Sequence, residues 1–132
     1  MDRKALTLRL HLWLEYNKGI YFGIGRVQLL NAIEELGSLR KAADKLGMSY
    51  RAAWGKIKAS QKATGVKLLK RRGQKRDGYE LTQEGKELRD KFLQWFDAVE
   101  ANALKEAKKI FRARVSKYAA GKKPSRNDRA SR

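Results

Sequence analysis

The chain has 132 residues, 42% of them apolar, with 3 Trp, 5 Tyr and 4 Phe, enough to fill one modest core. Lysine and arginine number 32 against 14 acids, a formal net charge of +18; the first 66 residues hold 12 bases and 5 acids, the rest 20 and 9. The folded part is therefore itself basic, and a polyanion is the expected partner. With no cysteine and one histidine, His11, disulfides, thiolate chemistry and a histidine-based metal or catalytic centre are excluded, and no metal or cofactor is expected. No apolar run nears the roughly 18 residues of a membrane span and no signal peptide is visible, so the expected location is cytoplasmic, without a membrane partner.

From Ala5 to Trp13 apolar and polar residues alternate, with Leu6, Leu8, Leu10 and Leu12 on one side, the period of a half-buried strand that includes His11. Asn17-Lys18-Gly19 supplies turn chemistry and Ile20-Tyr21-Phe22 a returning strand, which predicts an N-terminal β-hairpin. After Gly25 the period becomes helical through Val27, Leu30 and Ile33, and Gly37 stops that helix. Ser38 caps a second, short helix with Leu39, Ala42, Ala43 and Leu46 buried, ended by Gly47. Ser49 caps a third, with Ala53, Ile57, Ser60 and Thr64 on one face and Gly65 at its end. Two short helices on a tight glycine-containing turn form a helix-turn-helix.

Val66 to Lys70 and Tyr79-Glu80-Leu81 read as two short strands around Arg71-Arg72-Gly73-Gln74-Lys75-Arg76-Asp77-Gly78, whose Asp-Gly pair favours a hairpin turn. This predicts a basic wing. Thr82 caps a long helix to Tyr118, with one stripe at Leu88, Phe92, Trp95 and Val99 and a second at Leu104, Ala107, Phe111, Val115 and Tyr118. Asn102 and Glu106 interrupt the first stripe, so the helix is expected to change neighbours or kink near residue 102. The predicted organisation is a DNA-binding domain over residues 1–81, a dimerisation helix over 82–118 and a basic disordered tail over 119–132. The fold class is mainly α with small β: a winged helix-turn-helix with an N-terminal hairpin and a long C-terminal dimerisation helix.

The stretch Gly37-Ser38-Leu39-Arg40-Lys41-Ala42-Ala43-Asp44-Lys45-Leu46-Gly47-Met48-Ser49-Tyr50-Arg51-Ala52-Ala53-Trp54 resembles the helix-turn-helix of the N-terminal domain of ModE-type regulators. Leu81-Thr82-Gln83-Glu84-Gly85 resembles the Leu-Thr-x-x-Gly that follows the wing in both ModE-type and LysR-type transcription regulators. The resemblance covers about residues 5 to 118. It implies a dimeric regulator whose third helix enters the major groove of double-stranded DNA. The chain departs from ModE proteins after Tyr118, where nothing is long or apolar enough for a molybdate-binding domain, so no molybdate site is expected.

The residues support a DNA-binding surface on their own terms. With Ala53 and Ile57 buried, a rotation of about 100° per residue puts Arg51, Gly55, Lys58 and Lys62 on the open side of the third helix. Ser49, Tyr50, Arg51, Gly55 and Lys58 are the expected base readers, Arg51 foremost because arginine suits guanine O6 and N7. Arg40, Lys41, Lys56, Lys62, Lys70, Arg71, Arg72, Lys75 and Arg76 are the expected phosphate contacts. Trp54, about 80° from the buried centre, is expected to pack rather than stack on DNA. No carboxylate pair, Gly-rich phosphate loop, metal spacing or nucleophile–base arrangement is visible, which argues against an enzyme. The leading expectation is a sequence-specific, homodimeric transcription regulator on nucleoid DNA; the alternative is a nonspecific architectural DNA-binding protein.

Overall fold

The computed structural model describes residues 5–118 apart from 18, 75 and 77. The tail over 119–132, Lys18 of the first turn, and Lys75 and Asp77 of the wing therefore lie outside the described residues. The element order is β1 (Ala5–Leu8), β2 (Trp13–Tyr16), β3 (Gly19–Gly23), α1 (Ile24–Leu36), α2 (Leu39–Lys45), α3 (Tyr50–Thr64), β4 (Leu69–Arg71), β5 (Tyr79–Leu81), α4 (Gln83–Phe111) and β6 (Arg114–Lys117). The chain divides into two compact units, one over His11–Phe96 and one in which residues 5–10 pack with 97–118.

In the larger unit, local chemistry sets several of the helix boundaries. Gly37 ends α1 in the left-handed region at φ 67°, its N–H donating to the Ile33 carbonyl, a backbone state that glycine reaches without strain. Ser38 accepts from the Lys41 N–H at 3.1 Å and Ser49 from the Ala52 N–H at 3.0 Å, each satisfying one otherwise orphaned amide at a helix start. The connection from α3 to β4 is held by a side chain: Gln61 Oε1 accepts from the Leu68 N–H at 2.8 Å. The Leu-Thr-x-x-Gly motif has a steric reason as well. Thr82 Oγ1 accepts from the Gly85 N–H at 2.9 Å and donates to the Lys67 carbonyl, while a Cβ on Gly85 would lie 2.7 Å from the Leu68 carbonyl oxygen. Only glycine lets α4 start this close to the strand.

The core of this unit gathers Phe22 from β3, Val27, Leu29, Leu30 and Ile33 from α1, Leu39, Ala42 and Ala43 from α2, Ala53 and Ile57 from α3, Leu68 just before β4, Leu69 and Leu81 from the wing strands, and Phe92 from α4. Phe92 meets Phe22 edge-on at 5.7 Å, closing α4 over β3. Two polar ties bind the helices around this core. Arg26 on α1 donates from Nε to Ser60 Oγ of α3 at 2.9 Å, which satisfies a hydroxyl with no exposed surface; burial lowers the Arg26 pKa. Arg89 on α4 pairs with Glu34 at 2.8 Å and with Asp90 at 3.1 Å, and reaches Asn31 at 3.2 Å. Burial opposes the Arg89 charge, but Glu34 and Asp90 outweigh it and raise the pKa.

Three sequence-based expectations are corrected. The alternating run from Ala5 to Trp13 is not one strand of the hairpin: β1 pairs in parallel with β6, Leu6 opposite Val115, and the hairpin is β2 with β3, Leu14 opposite Phe22. His11 lies in the connection between β1 and β2. The long helix runs unbroken through Asn102, its residues belonging to one compact unit up to Phe96 and to the other from Asp97, and it stops at Phe111 instead of Tyr118. Arg112 takes a left-handed backbone at φ 49°, and Val115, a β-branched strand former, is buried in β6.

As a result the five-residue stripe expected for dimerisation does not exist on one helix face. Leu104, Ala107 and Phe111 are helical, whereas Val115 pairs with Leu6 and Tyr118 lies under the Arg9 guanidinium, 3.9 Å from the ring centre. The 4-3 spacing of Phe111, Val115 and Tyr118 fits a helical repeat, but the helix ends at Phe111 and β6 spans Arg114–Lys117.

Candidate nucleic-acid interface

The surface that would meet a polyanion is built from α2, α3 and the wing. Helix α2 and the start of α3 are joined by Leu46-Gly47-Met48-Ser49, with Gly47 at φ 70° and the Met48 N–H donating to the Ala43 carbonyl at 3.0 Å. This short connection presents α3 with its Ala53, Ile57 and Ser60 face buried. The opposite face is open, with Arg51, Gly55, Lys58 and Lys62 all exposed. Nothing lies within 4 Å of where a Gly55 Cβ would stand, so the helix surface at Gly55 is open.

At the N-terminal end of α3, Ser49 is exposed but already accepts the Ala52 amide, leaving its hydroxyl proton for a partner. Tyr50 is half-buried under the Arg40 guanidinium, 4.5 Å from its ring centre. Thus Arg40, expected at phosphate, stacks on an expected base reader, and the pair joins α2 to α3. Lys41 and Lys62 are exposed and Lys56 is half-buried. Lys58 leans over Trp54, 5.5 Å from its ring centre, and Trp54 is half-buried against Tyr79, 5.5 Å away. Trp54 packs, as its place on the helix suggested.

The wing pairs Leu69 with Leu81, Lys70 with Glu80 and Arg71 with Tyr79. Its outward bases differ in their partners. Lys70 forms a cross-strand ion pair with Glu80 at 3.3 Å, and the Arg72 guanidinium lies against Gly37, where a Cβ would meet its Nη1 at 2.6 Å. Arg71 donates to the Tyr79 hydroxyl and to the Arg76 carbonyl. Arg76 itself is exposed. Sequence reasoning missed the roles of Tyr79 and Arg26; the second was readable, since Ser60 sits at a buried position of α3 and such a hydroxyl needs a partner.

Among the described residues no group of three His, Asp or Glu side chains is placed to hold a metal ion, and no helix is long and apolar enough to cross a membrane. The sequence profile of the bacterial regulatory helix-turn-helix proteins of the lysR family matches residues 24–86, from the start of α1 to the first turn of α4. No curated protein matches the chain. Among solved structures, the DNA-binding domain of CbnR in complex with DNA is similar at a TM-score of 0.52 and 22% identity, over 65% of this chain and 99% of that one. Full-length CbnR with its target DNA is similar at 0.52 and 23% identity, over 65% of this chain and 29% of that one. The DNA-binding domain of BenM on catB site 1 DNA gives 0.50 and 24%, over 67% and 94%. These structures share the winged helix-turn-helix fold, and residues 24–86 match the lysR-family regulatory helix-turn-helix profile.

Proposed function

We propose that this regulator reads DNA as a dimer, with α3 in the major groove and the wing on the flanking backbone. The observation that carries the reading is the open face of α3, where Arg51 and Lys58 flank the open surface at Gly55. Ser49, Tyr50, Arg51, Gly55 and Lys58 form the base-reading edge. Lys41, Lys56, Lys62, Arg72 and Arg76 supply phosphate contacts, with Arg40, Lys70 and Lys75 adding positive charge nearby. The structures of the CbnR and BenM DNA-binding domains in complex with DNA support the choice of double-stranded DNA. The net charge of +18 favours a second reading, general coating of DNA without sequence preference.

Selection from a pool of random duplexes at one fixed salt concentration separates the two. A regulator enriches a motif bound about 10³-fold or more tighter than the unselected pool; equal binding across the pool supports the architectural reading.

Helix α4 is the proposed assembly element. Its 29 residues span about 44 Å, and Ile110 and Phe111 near its end are each 68% exposed, an apolar pair that a second copy would cover. A two-fold dimer would present two α3 helices to an inverted repeat. In sedimentation at tens of micromolar and moderate salt, wild type is expected to be dimeric and Ile110→Glu, Phe111→Glu monomeric. A monomeric wild type contradicts this assembly.

A further inference from the structure

The wing holds five bases in the seven residues from Lys70 to Arg76, and a loop serving only as a phosphate collector would leave their donors to the phosphates. Arg71 does something else. Its guanidinium lies over the Tyr79 ring, 5.2 Å from the centre, while Nη1 donates to the Tyr79 hydroxyl at 3.2 Å and to the carbonyl of Arg76 in the wing turn. Tyr79 meets Trp54 of α3 at 5.5 Å and a 37° tilt, and Lys58 leans over Trp54. Lys58, Trp54, Tyr79 and Arg71 thus form one cation–aromatic stack from the middle of α3 to the wing turn.

The backbone of the wing is tied down beside it. The Tyr79 N–H donates to the Gly37 carbonyl at 3.2 Å, the Arg72 N–H to the Gly78 carbonyl at 3.0 Å, and Ser38 bridges Gly78.

We propose that Arg71 is a positioning residue that holds the wing turn at a set distance from α3, through Tyr79 and Trp54, so that the wing contributes to specificity by spacing. A planar guanidinium can stack on a ring while its edge donates to both a hydroxyl and a carbonyl; a lysine ammonium keeps the charge but cannot make all three contacts. The two possible roles of Arg71, charge and clip, are therefore separable by Arg71→Lys. The proposal rests on reading α3 and the wing as the DNA surface, but its first test needs no DNA.

Amide hydrogen exchange of the free protein reads the wing directly. Arg71→Lys is expected to speed exchange at the Arg72 and Tyr79 amides by about tenfold while leaving core amides of α1 at wild-type rates. On the selected duplex, Arg71→Lys and Arg71→Gln should lose discrimination over random DNA to the same degree. On random DNA Arg71→Gln should keep the wild-type salt slope, whereas Arg76→Gln lowers it by about 0.9. Combined with Trp54→Leu, Arg71→Lys should add no further loss of discrimination, since both break one stack. Wild-type exchange in Arg71→Lys, or a slope lowered by about one unit in Arg71→Gln, overturns the proposal and returns Arg71 to the phosphate contacts. If selection yields no motif, sequence-specific reading fails, and the exchange result still decides whether the clip exists.

Discussion

Phe92→Ala is expected to lower the free energy of unfolding by about 3–5 kcal/mol. Phe92 is 4% exposed and meets Phe22 at 5.7 Å, Trp95 at 5.7 Å and Phe96 at 6.3 Å. It is the residue by which the start of α4 closes on the strand that leads into α1. Removing the ring leaves a void walled by Phe22 and its neighbours, all set by their own helices and strands, so the site cannot collapse easily. Small domains are stable by only about 5–15 kcal/mol, and the variant should sit near the edge of folding at 37 °C. Urea denaturation of the two proteins gives the difference; a loss below about 1 kcal/mol would mean that α4 does not close this core.

The second large effect is ionic. Raising salt from about 50 to about 200 mM is expected to weaken binding to any duplex by about 10³-fold or more, because six or more phosphates release their counterions. The bases that would contribute stand on three elements: Lys41 on α2, Lys62 on α3 and Arg76 in the wing, all exposed. The ion pairs Lys45 with Glu35 and Lys70 with Glu80 show that not every base is available for this work. Affinities of a random duplex across a salt series give the slope. A weakening below about tenfold would mean that the contact is chiefly non-ionic and that the +18 charge is not directed at DNA.

The helix-turn-helix was legible because its signals are local. Gly37 and Gly47 adopt the left-handed backbone that stops a helix, and Ser38 and Ser49 each cap the helix after them; all four are readable from residue type and spacing. The buried face of α3 followed from the same periodicity. What was not legible depends on distance along the chain. Ala5 pairs with Arg114 in a parallel ladder, and nothing in either segment names its partner, so the first strand was joined to the wrong neighbour. The end of α4 was hidden because Arg112, not a glycine, carries the positive φ of 49°. In the interface the sequence showed which residues were basic but not what each would touch: Arg40 on Tyr50, Arg71 on Tyr79 and Arg72 at Gly37 are products of tertiary placement.

The central claim is that α3 reads sequence, and Arg51→Ala tests it most directly. Arg51 is exposed in the first turn of α3, and replacing an exposed helix residue by alanine is expected to leave the fold intact. With the selected duplex and its single-base variants measured at one salt concentration, Arg51→Ala is expected to lose about 1–3 kcal/mol of binding and to become indifferent at one base position, keeping its preferences at the others. An equal loss on selected and random duplexes, with every base preference retained, would contradict the account.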